Sequence, residues 1–156
     1  MEKVFDISLK NRKLLYKFLK ETPKENLLEI PNGFRNNIWW NIAHVVVTQQ
    51  LLVYKLGGQQ MRVEEALVDK FKKGTAPDGT ATDEEIALIG DLLISTVEWA
   101  KKDYEDGIFT TYNTYATSVD VTLEKVEDAL AFNNFHEGIH LGAVLALSKV
   151  VGGKAN

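Results

Sequence analysis

Hydrophobic positions recur along most of the chain at three- and four-residue intervals, the period of a helix with one face turned to a core. Four long helices follow. The first covers about Ile7–Glu21, with Ile7, Leu14, Leu15, Phe18 and Leu19 on one side and five basic residues elsewhere. The second starts near Asn36 or Asn37 and runs to Leu56, where Gly57-Gly58 stops it. Its apolar residues nearly encircle it, which places it at the centre of the core. The third starts at Thr82, where Thr82-Asp83-Glu84-Glu85 reads as a capping box, and carries Ile86, Ile89, Leu93, Val97, Ala100 and Tyr104 on one face. The last runs from about Thr122 to Val150 and ends at Gly152-Gly153. Its core stripe is Leu123, Val126, Leu130, Asn133, His136, His140, Val144 and Leu147.

The connections are legible too. Thr22-Pro23-Lys24-Glu25 has capping-box spacing and opens a short turn over about Pro23–Leu28, before the break at Pro31-Asn32-Gly33. Gly57–Ala81 holds one amphipathic piece, Val63–Phe71, and the loop Lys73–Gly79. Gly107–Val121, rich in Thr and Tyr and almost without charge, predicts an extended loop or a short strand pair. There is no repeat. The expected architecture is all-α, a four-helix bundle forming one domain over residues 1–156.

Composition narrows the partners. A net charge of −4 argues against nucleic acid, whose phosphates want a basic face. With no cysteine, disulfides, thiolate zinc sites and a cysteine nucleophile are excluded. Met1–Asp6 lacks the apolar region of a signal peptide. Ile38–Leu56, the longest apolar stretch, is broken by Asn41, His44, Thr48, Gln49, Gln50 and Lys55, so no membrane span is expected and a cytoplasmic location is the default. The basic run Lys70-Phe71-Lys72-Lys73 reads as a solvated face, because Gly74 has no P-loop framework around it.

The chemistry rests on three histidines. His136 and His140 are four apart on one helix, so their side chains share a face one turn apart and can converge on one ion at roughly 2.0–2.1 Å each. His44 lies within the second helix, on a stripe with Trp40, Asn41, Thr48 and Leu51. All three fall in core stripes, and burying three imidazoles costs stability unless their nitrogens are satisfied. A divalent metal satisfies them; hydrogen bonds to core neighbours are the alternative. At 1.5 Å per residue, His44 lies roughly 11 Å from the start of its helix, and His136 and His140 roughly 15–21 Å from the end of theirs. Those depths match when the second and fourth helices are antiparallel, and the long connection after Leu56 permits a crossover. The order expected is up-down-down-up.

His136-Glu137-Gly138-Ile139-His140 also matches the H-E-x-x-H pattern of zinc metalloproteases. The context argues against a protease: no His, Asp or Glu follows His140, and no strand-rich lobe precedes the motif. Glu137 points about 100° away from His136 around the helix. It is expected to face outward, with a place flanking the metal as the alternative and a weak candidacy as a catalytic residue.

Asn36-Asn37-Ile38-Trp39-Trp40-Asn41-Ile42-Ala43-His44, together with Phe132-Asn133-Asn134-Phe135-His136-Glu137-Gly138-Ile139-His140-Leu141-Gly142, resembles the DinB-like (YfiT-like) superfamily. The resemblance runs from about Leu9 to Lys149. It implies a four-helix bundle of the same order, often a homodimer, with His44, His136 and His140 holding a divalent metal, commonly nickel or zinc, and water completing the shell. Characterised relatives include thiol-dependent S-transferases and a maleylpyruvate isomerase. The expected function is therefore a metal-dependent thiol S-transferase or hydrolase acting on a small molecule, with a non-catalytic metal- or ligand-binding bundle as the alternative. Any thiol must be a low-molecular-weight co-substrate. Asn41 and Asn133, one turn from ligands, are candidates to orient imidazoles or waters. Thr48 and Trp40 belong to the surroundings, and Tyr112 and Tyr115 are candidate pocket walls, although plain packing is the simpler role for the aromatics.

Overall fold

The computed structural model describes residues 1–152. The described chain is mostly helical: α1 (Glu2–Glu21), α2 (Lys24–Leu28), α3 (Ile38–Gln49), a π-helical continuation (Gln50–Lys55), α4 (Glu65–Phe71), α5 (Asp83–Glu105) and α6 (Val126–Gly152), with two short strands, β1 (Tyr115–Ala116) and β2 (Thr122–Leu123), between the last two helices. The strands pair antiparallel, Tyr115 opposite Leu123 and Ala116 opposite Thr122. No described helix is long and apolar enough to cross a membrane.

α3 sits at the centre, as its encircling apolar pattern requires. Every residue from Asn37 to Val47 is buried. Trp39, Ile42 and Val46 meet Leu15 and Leu19 of α1, Ile89 and Leu93 of α5, and Val144 and Leu147 of α6 in one apolar cluster. A second cluster gathers Phe5, Leu52, Tyr54, Val97, Leu123, Val126 and Leu130 at the other end of the helices. Burying each large side chain contributes roughly 1.5–3 kcal/mol, so α3 anchors the fold.

Helix ends follow their caps, with instructive exceptions. The Thr82 capping box forms as expected, with reciprocal bonds to Glu85. The one expected at Thr22 does not form: Thr22 ends α1 in an extended conformation, its N–H bonded to Phe18, and Pro23 opens α2 without a side-chain cap. α2 starts one residue later than the capping-box spacing requires, so the Thr22 hydroxyl is out of register with its first free N–H groups. α1 begins at Glu2 rather than Ile7. Its buried stripe is Phe5, Ser8, Arg12, Leu15 and Leu19, while Ile7 and Leu14 face solvent. One of the basic residues expected outside is thus inside.

α3 ends at Gln49, and the turns up to Leu56 continue as π-helix. At that junction Gln49 donates to the Thr96 carbonyl at 3.0 Å and Gln50 accepts from the Arg62 N–H at 2.7 Å. α6 begins at Val126, not Thr122, because Thr122 and Leu123 are held in the strand pair. The Asp128 carboxylate accepts from the N–H groups of Glu124 and Lys125 at 3.0 and 3.3 Å, gathering the chain into the helix start. α6 runs through Gly152, and the expected stop at Gly153 lies outside the described residues.

Candidate metal centre

Asn37 starts α3 as N-cap, its Oδ1 accepting from the Trp40 N–H at 2.8 Å. From there Trp40, His44 and Thr48 follow at four-residue spacing, one above the other on one face of the helix. α6 packs against α3 and brings His136 and His140 opposite. Ring centroids lie 5.1 Å apart for His44 and His136, 4.6 Å for His44 and His140, and 4.5 Å for His136 and His140. One ligand-capable nitrogen from each ring lies within 4.8 Å of the others. Nitrogens sharing a tetrahedral ion sit about 3.3 Å apart, so small rotations of the rings complete a site. His44 is buried; His136 and His140 are half-buried, and the cluster opens on their side.

Two of the three tautomers are set by the surroundings. His44 Nδ1 is 2.6 Å from the Phe71 carbonyl, which can only accept, so Nδ1 carries the proton. That carbonyl closes α4, and the imidazole satisfies one of the acceptors a helix end leaves open. Asn41 Nδ2 donates to the Asn37 carbonyl at 2.7 Å, which turns its Oδ1 toward His140 Nδ1, 2.8 Å away. His140 therefore also carries its proton on Nδ1. In both rings the Nε2 lone pair is left for a ligand bond. The Thr48 hydroxyl lies 3.2 Å from His44 Nε2 and donates to that lone pair while no ion is bound. Trp40 stacks on His44 at 4.4 Å and 12°, and its Nε1–H donates to Thr75 Oγ1 at 3.0 Å, which ties the loop after α4 to the ring stack.

Burial holds all three imidazoles neutral. Desolvation, reinforced by the neighbouring His140 and His44 and by Arg12, pushes His136 down to about 3. Desolvation and then His44 push His140 down to about 4. Desolvation lowers His44 as well, partly opposed by its bond to Phe71. At neutral pH no proton has to leave before a cation binds.

Glu137 does not face outward, and it is not among the ligand-capable groups that cluster with the histidines. It is 0% exposed and paired with Arg12, also 0% exposed, at 2.8 Å between Arg12 Nε and Glu137 Oε1. Asn133 Nδ2 donates to the same oxygen at 2.7 Å and Asn11 Nδ2 to the other at 3.0 Å, with the Ser8 hydroxyl 3.4 Å from both. Arg12 Nη2 reaches the Val45 carbonyl at 3.2 Å. This network, missed in the sequence reading, had one signal: Ser8 and Arg12 sit at the spacing of the α1 stripe that continues with Leu15 and Leu19.

The tyrosines of the Gly107–Val121 segment have other roles. The Tyr112 hydroxyl donates to the Leu52 carbonyl at 3.0 Å beside the second apolar cluster, and the exposed Tyr115 lies in β1. Neither makes a hydrogen bond or ring contact with a histidine. A groove of about 790 Å³, lined among others by Arg62, Met61, Leu88 and Trp99, is likewise separate from the cluster. In the basic run, Lys70 pairs with Glu85 and Lys72 with Asp69, each at 2.7 Å.

The donor set fits a divalent cation. It offers three neutral imidazoles, two with Nδ1 protons already placed. The third, His136, has a buried Nδ1 with no hydrogen-bond partner. Imidazole suits nickel, zinc and similar borderline ions, and three protein ligands leave a coordination position open. A comparison with curated proteins finds no match. A family model described as the DinB superfamily matches residues 9–144 and so includes all three histidines. With helices, histidine cluster and sequence match in agreement, the chain belongs to the DinB superfamily.

Proposed function

We propose that this chain is a divalent-metal protein whose ion, nickel or zinc, is held by His44, His136 and His140, and that it acts on a small molecule as a thiol S-transferase or hydrolase. The observation that carries the reading is the convergence of three neutral imidazoles, one buried and two half-buried, one nitrogen of each within 4.8 Å of the others. When bound, the ion supplies Lewis acidity, lowering the pKa of a water or a small-molecule thiol or polarising a carbonyl oxygen. The chain's residues do the rest. Phe71 and Asn41 hold two imidazoles in the ligating tautomer, and Trp40 packs flat on His44. With no cysteine in the chain, the thiol comes with the substrate.

We further propose an up-down-down-up arrangement of the four long helices within one domain. Supporting contacts advance together along α1 and α6, where Asn134 bonds Val4 and Glu137 bonds Arg12, and along α3 and α5, where Gln49 bonds Thr96 and Tyr54 bonds Asp103. They run in opposition between α3 and α6, where His140 meets Asn41 while His136 meets His44.

The test is transfer of low-molecular-weight thiols to electrophilic acceptors, and hydrolysis of activated esters and amides, by nickel- or zinc-loaded protein. Turnover abolished by His44→Ala and His140→Ala supports the catalytic reading. Metal binding without any histidine-dependent turnover supports a binding protein instead.

A further inference from the structure

Among the three histidines, only His136 lacks a partner on Nδ1: Phe71 serves His44, Asn41 serves His140, and His136 Nδ1 is buried alone. One turn earlier on the same helix, Asn133 Oδ1 is buried and alone as well, in a side chain 2% exposed. The two needs are opposite. An imidazole that ligates through Nε2 carries a proton on Nδ1 and requires an acceptor, and Asn133 Oδ1 is an acceptor without a donor. Residues three apart share a helix face with Cβ atoms about 5–6 Å apart, within reach of a direct bond after a side-chain rotation or of one bridging water.

The Asn133 amide has a single orientation. Its Nδ2 donates at 2.7 Å to Glu137 Oε1, which can only accept, so Oδ1 is the atom presented elsewhere. Glu137 is itself immobilised by Arg12, Asn11 and Ser8. The arrangement repeats the one at His140, where an asparagine pinned through Nδ2 by the Asn37 carbonyl offers Oδ1 to the ring. A fully buried ion pair is weak as a source of stability, since apolar residues of similar volume often do as well; a positioning task accounts for it.

We propose that Asn133 is the positioning residue of His136, its Oδ1 accepting the Nδ1 proton of the ligating ring, and that the buried Arg12–Glu137 pair serves the metal centre by fixing the Asn133 amide. This rests on the three histidines being a metal site.

The experiment loads the protein with cobalt(II) and counts the paramagnetically shifted, exchangeable imidazole N–H resonances, alongside cobalt affinity by chelator competition. Wild type shows three protected resonances. Asn133→Leu loses one to solvent exchange, keeps two, and binds cobalt about 10–100-fold more weakly. Asn133→Ala, smaller and free of any clash, behaves alike, and Asn41→Leu, the benchmark, loses a different resonance. In the double replacement Arg12→Met with Glu137→Leu, affinity falls as far as in Asn133→Leu, and adding Asn133→Leu lowers it less than twofold further.

Three protected resonances and unchanged affinity in Asn133→Leu overturn the proposal while the metal site stands. Full affinity in the double replacement separates the ion pair from the metal. Wild-type protein that takes up no cobalt removes the metal site itself.

Discussion

Desolvation makes the histidines unusual bases, and the consequence is measurable. In the unfolded chain each titrates near 6.5, whereas in the folded protein His136 and His140 stay neutral down to about 3 and about 4. Below pH 6.5 the unfolded chain therefore binds protons that the folded chain refuses. Stability is fully present above that pH and is lost as pH falls toward 4, by up to about 1.4 kcal/mol per pH unit for each of these two residues. Urea unfolding of metal-free protein at pH 7.5 and 5.0 checks this. His136→Phe should flatten the profile, and a wild-type profile already flat over that range would contradict the burial account. At this scale the sequence was informative about which residues matter and offered Asn41, which meets His140, but it did not show Phe71 as the partner of His44 or Arg12 as the partner of Glu137. Helical spacing paired His136 with His140 and aligned His44 with Asn41 and Thr48; the resemblance to the DinB-like superfamily is what joined the two groups. Glu137 was expected outside, because its partner Arg12 lies 125 positions away and no local pattern announces it.

At the scale of elements, α3 is set in register by a single side chain. Asn37 caps it, accepting from the Trp40 N–H and donating to the Leu28 carbonyl at 2.9 Å, while its own carbonyl fixes Asn41 and through it His140. Asn37→Ala is predicted to cost about 1–2 kcal/mol of stability, as cap losses do, and to weaken metal binding as well, because the Leu28 carbonyl and the start of α3 lose their tie. Chemical denaturation and a metal titration of the same variant measure both effects. A stability loss without any change in metal binding would confine Asn37 to capping. Caps were also where the sequence was read best and worst. The Thr82 box formed as expected, and the helix start expected near Asn36 or Asn37 falls at the Asn37 cap. Thr22 went to the end of α1, where its N–H closes the last turn on Phe18, and Thr122-Leu123 went to a strand pair with Tyr115-Ala116. The π-helical turns after Gln49 depend on bonds to Thr96 and Arg62, which only the folded chain brings near.

At the scale of the whole molecule, α6 leaves an apolar face uncovered among the described residues. From Ala129 to Ser148 the only charged side chain of α6 is the buried Glu137, and Phe135, Ile139 and Leu145 stand 53%, 51% and 43% exposed. A Cβ added at Gly138 or Gly142 would meet nothing within 4 Å. Nothing among the described residues requires glycine there, although each costs about 1 kcal/mol in a helix. We propose that a second copy covers this face, large side chains of one α6 lying over the glycines of the other, as a two-fold, self-complementary contact allows. Sedimentation should then show a dimer that the paired change Ile139→Lys and Leu145→Lys converts to monomer; a wild-type monomer would contradict it.

The central claim remains the ion. Purified protein, stripped with chelator and titrated with zinc or nickel, should bind one equivalent per chain by calorimetry and elemental analysis. His44→Ala, His136→Ala and His140→Ala should each abolish or severely weaken that binding while keeping a cooperative unfolding transition. Stripped wild-type protein that binds neither ion, or the three variants binding as wild type does, would contradict the account.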